Sequence, residues 1–318
     1  MLDKTLLSPV LLLGADVGGT NLRLGLVDGL EVVWEKRFHA DFSGLCKTHR
    51  ANFAWQEIIR ITSAAMNEAL QQFPQITAVG IGFPGFIDPN NGHVTQSPNL
   101  PGLRDVDLAG DLAKAINRPV VVENDALAAA YGEFRLDQKN TINSDLIYIG
   151  LGTGVGGGLI HANQPFAGQH GVAMEIGHLI VEPGGRACGC GNHGCMEQYA
   201  SASGVTISYS ELSGQKVNAG EIAALAKAGN KHALAAYTMA GDKLAQGLAH
   251  ILKVVDVGQV VIGGGVSQAW PLMQPAFDQR LQTDLIPVLR DKITIKISSN
   301  GDQAGIIGVA LLAAIQVV

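Results

Sequence analysis

Apolar residues run without a break from Val10 to Ala15 and stop at a Gly-Gly pair, which predicts a buried strand ending in a tight turn. Leu22-Arg23-Leu24-Gly25-Leu26-Val27 then alternates and Asp28-Gly29 closes it, so the two segments form a strand–turn–strand unit. Between Ala51 and Phe73 the period changes. Trp55, Ile58, Ile59, Thr62, Met66, Ala69, Leu70 and Phe73 recur three and four residues apart, the spacing of an amphipathic helix. The stretch 78–83 returns to strand, and Leu108, Leu112 and Ile116 mark a short helix stopped before Arg118-Pro119. Val120-Val121-Val122 reads as a buried strand and 126–134 as a helix.

The second half opens in the same way. The stretch 145–150 is an apolar strand that runs into a glycine cluster at 152–158. Laid over the first unit at an offset of 136, Gly14 meets Gly150, Gly18 meets Gly154 and Leu24 meets Ile160. The pattern predicts two similar lobes, each offering a Gly-rich hairpin turn to a shared cleft. A helix follows through Leu234, Tyr237, Leu244, Leu248, Ile251 and Val255, then strands at 260–262 and 293–297 and an Ala- and Leu-rich helix from about Ala304. Strands alternating with helices give an α/β class of layered sheets.

Composition narrows the function. The 318 residues, 47% apolar and 16% charged, suit a compact protein of about two domains and exclude a disordered tail. Lys plus Arg is 22 against 28 for Asp plus Glu, a net charge of −6, which argues against a protein built to grip nucleic acid. The segment from Leu6 to Leu13 follows Lys4 like the core of a signal peptide. No small-residue cleavage site follows it, so a first strand in a cytoplasmic protein explains it better, and no other segment is expected to enter a membrane.

Five clusters carry candidate chemistry. His178 with Cys188, Cys190 and Cys195 spells H-x9-C-x-C-x4-C, the donor set of a closed, structural Zn²⁺ site, against the alternative of three unrelated thiols or a disulfide with one left over; His193 competes as the nitrogen ligand. Asp16-Val17-Gly18-Gly19-Thr20 fits either a phosphate turn with a Mg²⁺-holding carboxylate or an ordinary hairpin. Gly152-Thr153-Gly154-Val155-Gly156-Gly157 matches G-x-G-x-x-G, but a strand follows instead of a helix, so a phosphate-cradling turn is preferred over a dinucleotide site. Glu123-Asn124-Asp125 ends a strand before a helix. It suits gripping one hydroxyl while deprotonating its neighbour, and equally suits a helix cap. Glu175 and Glu197 flank the zinc cluster and either accept sugar hydroxyls or serve as supporting residues.

These segments together resemble the ROK family of bacterial sugar kinases and sugar-responsive repressors: DVGGT at Asp16, END at Glu123, LGTGVGGG at Leu151, EIGH at Glu175, CGCGNHGCMEQ at Cys188 and VIGGG at Val261. The resemblance implies a duplicated actin-like, ribonuclease H-like α/β fold with ATP and sugar in a central cleft. A small domain would hold 1–123 with the tail 304–318, and a large one 124–303. It implies that Asp125 is the general base toward the sugar's primary hydroxyl, and that Asn124, Glu175, His178 and Glu197 hold sugar hydroxyls, with Gly85 and Asn99 as further sugar-site candidates. Asp16, Gly18, Gly19 and Thr20 would face phosphates and Mg²⁺. Gly152, Thr153 and Gly154 would hold further phosphate oxygens, and Gly263, Gly264 and Gly265 would line the adenosine. His178, Cys188, Cys190 and Cys195 would bind zinc.

The family resemblance further implies a homodimer. Asn21 stands where many members have Lys, and Met174 stands before EIGH where members usually have Gly. The expected activity is ATP-dependent phosphorylation of a hexose, glucose first, with N-acetylhexosamines, mannose and fructose as alternatives. A sugar-sensing repressor is disfavoured because only 15 residues precede Asp16, too few for a helix-turn-helix. A nicotinamide oxidoreductase leaves the zinc cluster unexplained.

Overall fold

The computed structural model describes residues 11–137 and 144–317, so Val10 and the preceding segment weighed as a leader lie outside the described residues. The chain divides into two compact units. The first takes residues 11–137, 164–173 and 302–317; the second takes 144–163 and 174–301.

In the first unit, β1 (Leu12–Val17), β2 (Asn21–Asp28) and β3 (Glu31–His39) form an antiparallel meander. Helices α1 (Phe42–Thr48) and α2 (Ala51–Gln72) lead to β4 (Val79–Phe83), which pairs parallel to β1. A small antiparallel sheet of β5 (Phe86–Ile87), β6 (Val94–Gln96) and β7 (Arg104–Val106) follows. After α3 (Leu108–Ile116) the chain returns as β8 (Val120–Asn124), parallel to β4, and enters α4 (Asp125–Asp137). The main sheet order is β3-β2-β1-β4-β8.

The unbroken apolar run in β1 has a direct cause: both faces of the strand are covered. Leu13, Ala15 and Val17 join a core with Ile58 and Met66 of α2, while Leu12 joins a second core with Ile306 and Ala310 of the C-terminal helix. That helix lies directly on the sheet. A side chain at Gly14 or Gly80 would collide with its backbone at Ile306 or Val309.

The second unit repeats the plan. β9 (Leu146–Leu151) and β10 (Val155–His161) form a hairpin. The two-residue β11 (Gln164–Pro165) that follows is counted with the first unit. Helices α5 (Glu197–Ala200), α6 (Ala202–Ser213), α7 (Ala219–Lys227) and α8 (Lys231–Val255) precede β12 (Gln259–Gly263), which is parallel to β9. Then come α9 (Trp270–Asp284), β13 (Thr294–Ile297), parallel to β12, and the C-terminal α10 (Gln303–Val317). Ile147, Ile149 and Leu151 of β9 share a core with Leu244, Leu248 and Leu252 of α8. Each unit thus sets an antiparallel hairpin beside parallel strands, the duplication that the 136-residue offset points to.

The division between the units falls later than the expected residue 123. Helix α4 belongs to the first unit, where it packs against α10; a Cβ at Gly132 would collide with the Ala304 carbonyl. No described helix is long and apolar enough to cross a membrane.

Candidate functional site

In the first unit the candidates gather at the C-terminal ends of β1 and β8. Asp16 on β1 lies opposite Arg23 on β2, a register set by the turn between them. The Arg23 Nη2 atom is 3.8 Å from Asp16 Oδ2, and its Nη1 is 2.5 Å from Asp302 Oδ2, just before α10. Burial, and then the charge of Asp125, push the Asp16 carboxyl up to about 6, while Arg23 pulls it down. Asp16 and Asp125 therefore feel each other's charge. The carboxylate oxygens of Asp16, in a site that also feels the charge of Asp125, are hard donors of the kind Mg²⁺ takes.

The turn is closed by the Gly18 N–H donating to the Asn21 carbonyl at 2.8 Å, and the Gly19 carbonyl accepts from Ser43 N–H at 2.8 Å. A Cβ at Gly18 or Gly19 would meet nothing nearer than 3.5 Å, and neither residue has positive φ. The fold does not itself demand glycine at these two positions. Thr20 is exposed beside them.

At the end of β8, Asn124 is the cap of α4: its Oδ1 accepts from Leu127 N–H at 3.0 Å, and its Nδ2 donates to the Gly85 carbonyl at 3.0 Å. The cap reading of this segment thus holds for Asn124. Asp125 begins the helix and accepts from Ala126 N–H at 2.9 Å. Burial drives the preceding Glu123 carboxyl up to about 7, against the hydrogen bond it accepts from Asn124 N–H at 2.8 Å. Gly85 is packed 2.8 Å, at Cβ, from the Gln96 carbonyl, so the small sheet requires it to be glycine; Asn99 is exposed between β6 and β7.

In the second unit, Glu175, His178 and Glu197 come together. Glu175 precedes a short 3-10 turn, Ile176–His178, which places its Oε2 3.7 Å from His178 Nε2. Burial, reinforced by the charge of Glu197, raises the Glu175 carboxyl, and His178 opposes the shift. Glu197 opens α5 and its Oε2 accepts from Val155 N–H at 3.1 Å. Within the turn the Gly152 N–H donates to the Gly154 carbonyl at 3.0 Å, and Thr153 is exposed. The glycines expected to touch ATP differ in kind. A Cβ at Gly152 or Gly265 would meet nothing within 4 Å, whereas Gly154 packs on Glu197, Gly263 lies 2.6 Å, at Cβ, from the Tyr148 hydroxyl, and Gly264 has φ +83 against the Leu151 carbonyl.

The expected zinc ligands cluster. One ligand atom from each of His178, Cys188, Cys190 and Cys195 falls within 4.8 Å of all the others; Cys188 Sγ is 3.6 Å from His178 Nδ1 and Cys190 Sγ 3.6 Å from Cys195 Sγ. Three sulfurs and one imidazole nitrogen at these separations fit a tetrahedral Zn²⁺ with Zn–S of about 2.3 Å. His193 is exposed and is not part of the cluster. The loop is folded by Gly194, whose φ of +79 and contact with the Glu182 carbonyl admit no side chain, and by Arg186, which stacks 4.4 Å over Tyr199 and donates to the Gln198 carbonyl at 2.6 Å. With His178 Nδ1 turned to the sulfurs, Nε2 is the nitrogen left facing Glu175.

Arg23 and Asp302 were not among the sequence candidates. Arg23 had a signal, since it and Asp16 are equidistant from the centre of the turn; Asp302 is brought in only by the packing of α10.

The ROK family model matches residues 12–316. The N-acetyl-D-glucosamine kinases of Escherichia coli (strain K12 / DH10B) and Shigella boydii are each 34% identical over 310 residues, covering 94% of this chain and 98% of the relative. A ROK family glucokinase from Streptomyces griseus, solved with glucose and AMPPNP, superposes with a TM-score of 0.81 at 30% identity, covering 96% of this chain and 99% of that one.

Proposed function

The chain belongs to the ROK family, and on that premise we propose that it transfers the γ-phosphoryl group of ATP to the primary 6-hydroxyl of a hexose, N-acetylglucosamine ahead of glucose. The observation that carries the reading is that Asp16 and Asp125 stand at the ends of β1 and β8, the charge of one acting on the other, beside a Gly18-Gly19 turn whose glycines nothing in the fold requires. Glycine at a site with room for a side chain makes sense where another molecule's oxygens must come close to the backbone.

In this reading Asp125 accepts the proton of the 6-hydroxyl. The hydroxyl oxygen then bonds to the γ-phosphorus as the bond to the ADP oxygen breaks. Gly19, Thr20 and Thr153 offer donors to the phosphates, Gly18 and Gly152, whose N–H groups close their own turns, line the approach, and Gly263 to Gly265 border the adenosine. Bound Mg²⁺ supplies charge neutralisation for the phosphates, and Asp16 is the residue that would hold its water shell. Glu175 and Glu197 accept sugar hydroxyls and His178 donates through Nε2, with Asn99 and the Gly85 loop completing the sugar side. Zn²⁺ at His178, Cys188, Cys190 and Cys195 would serve structure, fixing the loop that carries Glu175 and Glu197. Asn124 also caps α4. Beyond its bonds to Leu127 and Gly85, its Oδ1 keeps a second lone pair and its Nδ2 a second hydrogen for a sugar hydroxyl, while it positions Asp125.

The relatives move the first choice of sugar from glucose to N-acetylglucosamine, because the greater identity lies with the N-acetyl-D-glucosamine kinases. Glucose stays as a second reading on the strength of the Streptomyces griseus enzyme. ATP consumption across a hexose panel tests both. We expect the largest kcat/KM with N-acetylglucosamine. Turnover of glucose alone reverses the order, and no turnover of any hexose removes the kinase reading.

A further inference from the structure

The Gly-rich turn of the second unit is held by the segment that bears the sugar-facing residues. Val155 N–H, just past the turn, donates to Glu197 Oε2 at 3.1 Å, and Gly154 lies so close to that oxygen that a Cβ would collide with it. Ala202 N–H donates to the Gly152 carbonyl at 2.9 Å. Gly177 lies against the Val155 carbonyl, and a Cβ on Gly157 would be 2.5 Å from the Met174 carbonyl. All these contacts join 152–157 to 174–202 within one unit. Among them only the Glu197 contact uses a charged side chain, and it lands on Val155, the strand residue at which the turn ends.

We propose that Glu197 is a positioning residue for the nucleotide: by accepting the Val155 N–H it fixes the Gly152–Gly154 turn, besides facing the sugar. The proposal rests on reading that turn as a phosphate cradle. A carboxylate accepts a backbone N–H more strongly than a neutral oxygen does, so its removal frees the turn to sample other conformations. One carboxylate then serves two ligands. A hydroxyl that hydrogen-bonds Glu197 alters the hold on Val155, and sugar and nucleotide affinities become linked with reciprocal effect.

The test is calorimetric binding of a non-hydrolysable ATP analogue to the full chain without sugar, with melting curves to establish folding. Glu197→Ala is expected to weaken the analogue about tenfold, the scale of one charge-assisted hydrogen bond. Glu197→Gln keeps an acceptor oxygen for Val155, so analogue binding stays within about threefold of wild type while sugar affinity falls in both variants. Gly154→Ala, which displaces the carboxylate, is expected to weaken the analogue as well, and to add little in combination with Glu197→Ala. Should Glu197→Ala fail to fold, Gly154→Ala and Glu197→Gln still carry the test. Wild-type analogue affinity in a folded Glu197→Ala or Gly154→Ala variant overturns the proposal, as does a loss in Glu197→Gln as large as in Glu197→Ala. A wild-type protein that binds no analogue at all instead removes the nucleotide reading itself, and this proposal with it.

Discussion

Asn124 reaches Gly85: its Nδ2 donates to the Gly85 carbonyl at 3.0 Å while its Oδ1 accepts from the Leu127 amide at the same distance. One side chain therefore starts α4 and ties the end of β8 to the loop after β4, with Asp125 as the next residue. Asn124→Ala is expected to lower stability in urea by about 1–2 kcal/mol, the scale of a lost cap plus a part-buried hydrogen bond. Asn124→Asp keeps the cap but lacks the donor, so its loss should be smaller. Equal losses in the two variants would mean that the cap contributes nothing.

Asp125→Asn keeps the shape of the side chain and removes its ability to take a proton. We expect kcat to fall by roughly 10²–10⁴-fold, the range of general base catalysis, with little change in sugar affinity measured by calorimetry. A variant with most of its turnover intact would take the base role away from Asp125.

Glu123 gives a pH signature. Burial raises its folded pKa to about 7 from an ordinary 4.5, so the folded state holds the proton more tightly than the unfolded chain. Its contribution to stability is complete below the unfolded value and is lost as pH rises through about 7. The slope is at most about 1.4 kcal/mol per pH unit between those limits. Glu123→Gln keeps an acceptor for Asn124 N–H and cannot ionise. Its urea stability should exceed that of the wild type at pH 8, and the excess should vanish near the unfolded value. Parallel stability curves across this range would show that Glu123 is not buried as described.

The zinc prediction is stoichiometric. The purified chain should contain one Zn²⁺, and Cys190→Ser, which removes one of four ligands, should lose both metal and melting temperature. Elemental analysis together with a thermal melt checks this; a wild-type protein that is metal-free and equally stable would contradict it.

The elements legible in the sequence were those with a strong period. The helix expected from Ala51 to Phe73 is α2, Leu108, Leu112 and Ile116 lie on one buried stripe of α3, and the run from Leu234 to Val255 falls within α8. Helix α9 was not legible in this way. Its buried residues Trp270, Met273, Phe277 and Leu281 do keep a three- and four-residue spacing, but Pro271 at its start and Pro275 inside read as helix breakers and mask it. The zinc cluster was legible because its ligands are close in sequence. The hold of Arg23 on Asp16 and Asp302, and that of Glu197 on Val155, were not, because each depends on strand register or on packing of segments far apart in the chain. The glycines held a further ambiguity. Gly152 and Gly154 read identically in the sequence, and only the surrounding atoms separate the open one from the one pressed against Glu197.

Helix α10 seats on Gly14 and Gly80 and supplies Ile306 and Ala310 to the core beneath β1. In the chain it comes after the whole of the second unit. Strands β1 and β4 must therefore wait through the translation of the whole second unit before the face that α10 covers is closed. The second unit, finished by residue 301, has its own core complete before that moment arrives. One face of the sheet that holds β1 and β4 spends that interval apolar and uncovered, although the core on its other face is already synthesised.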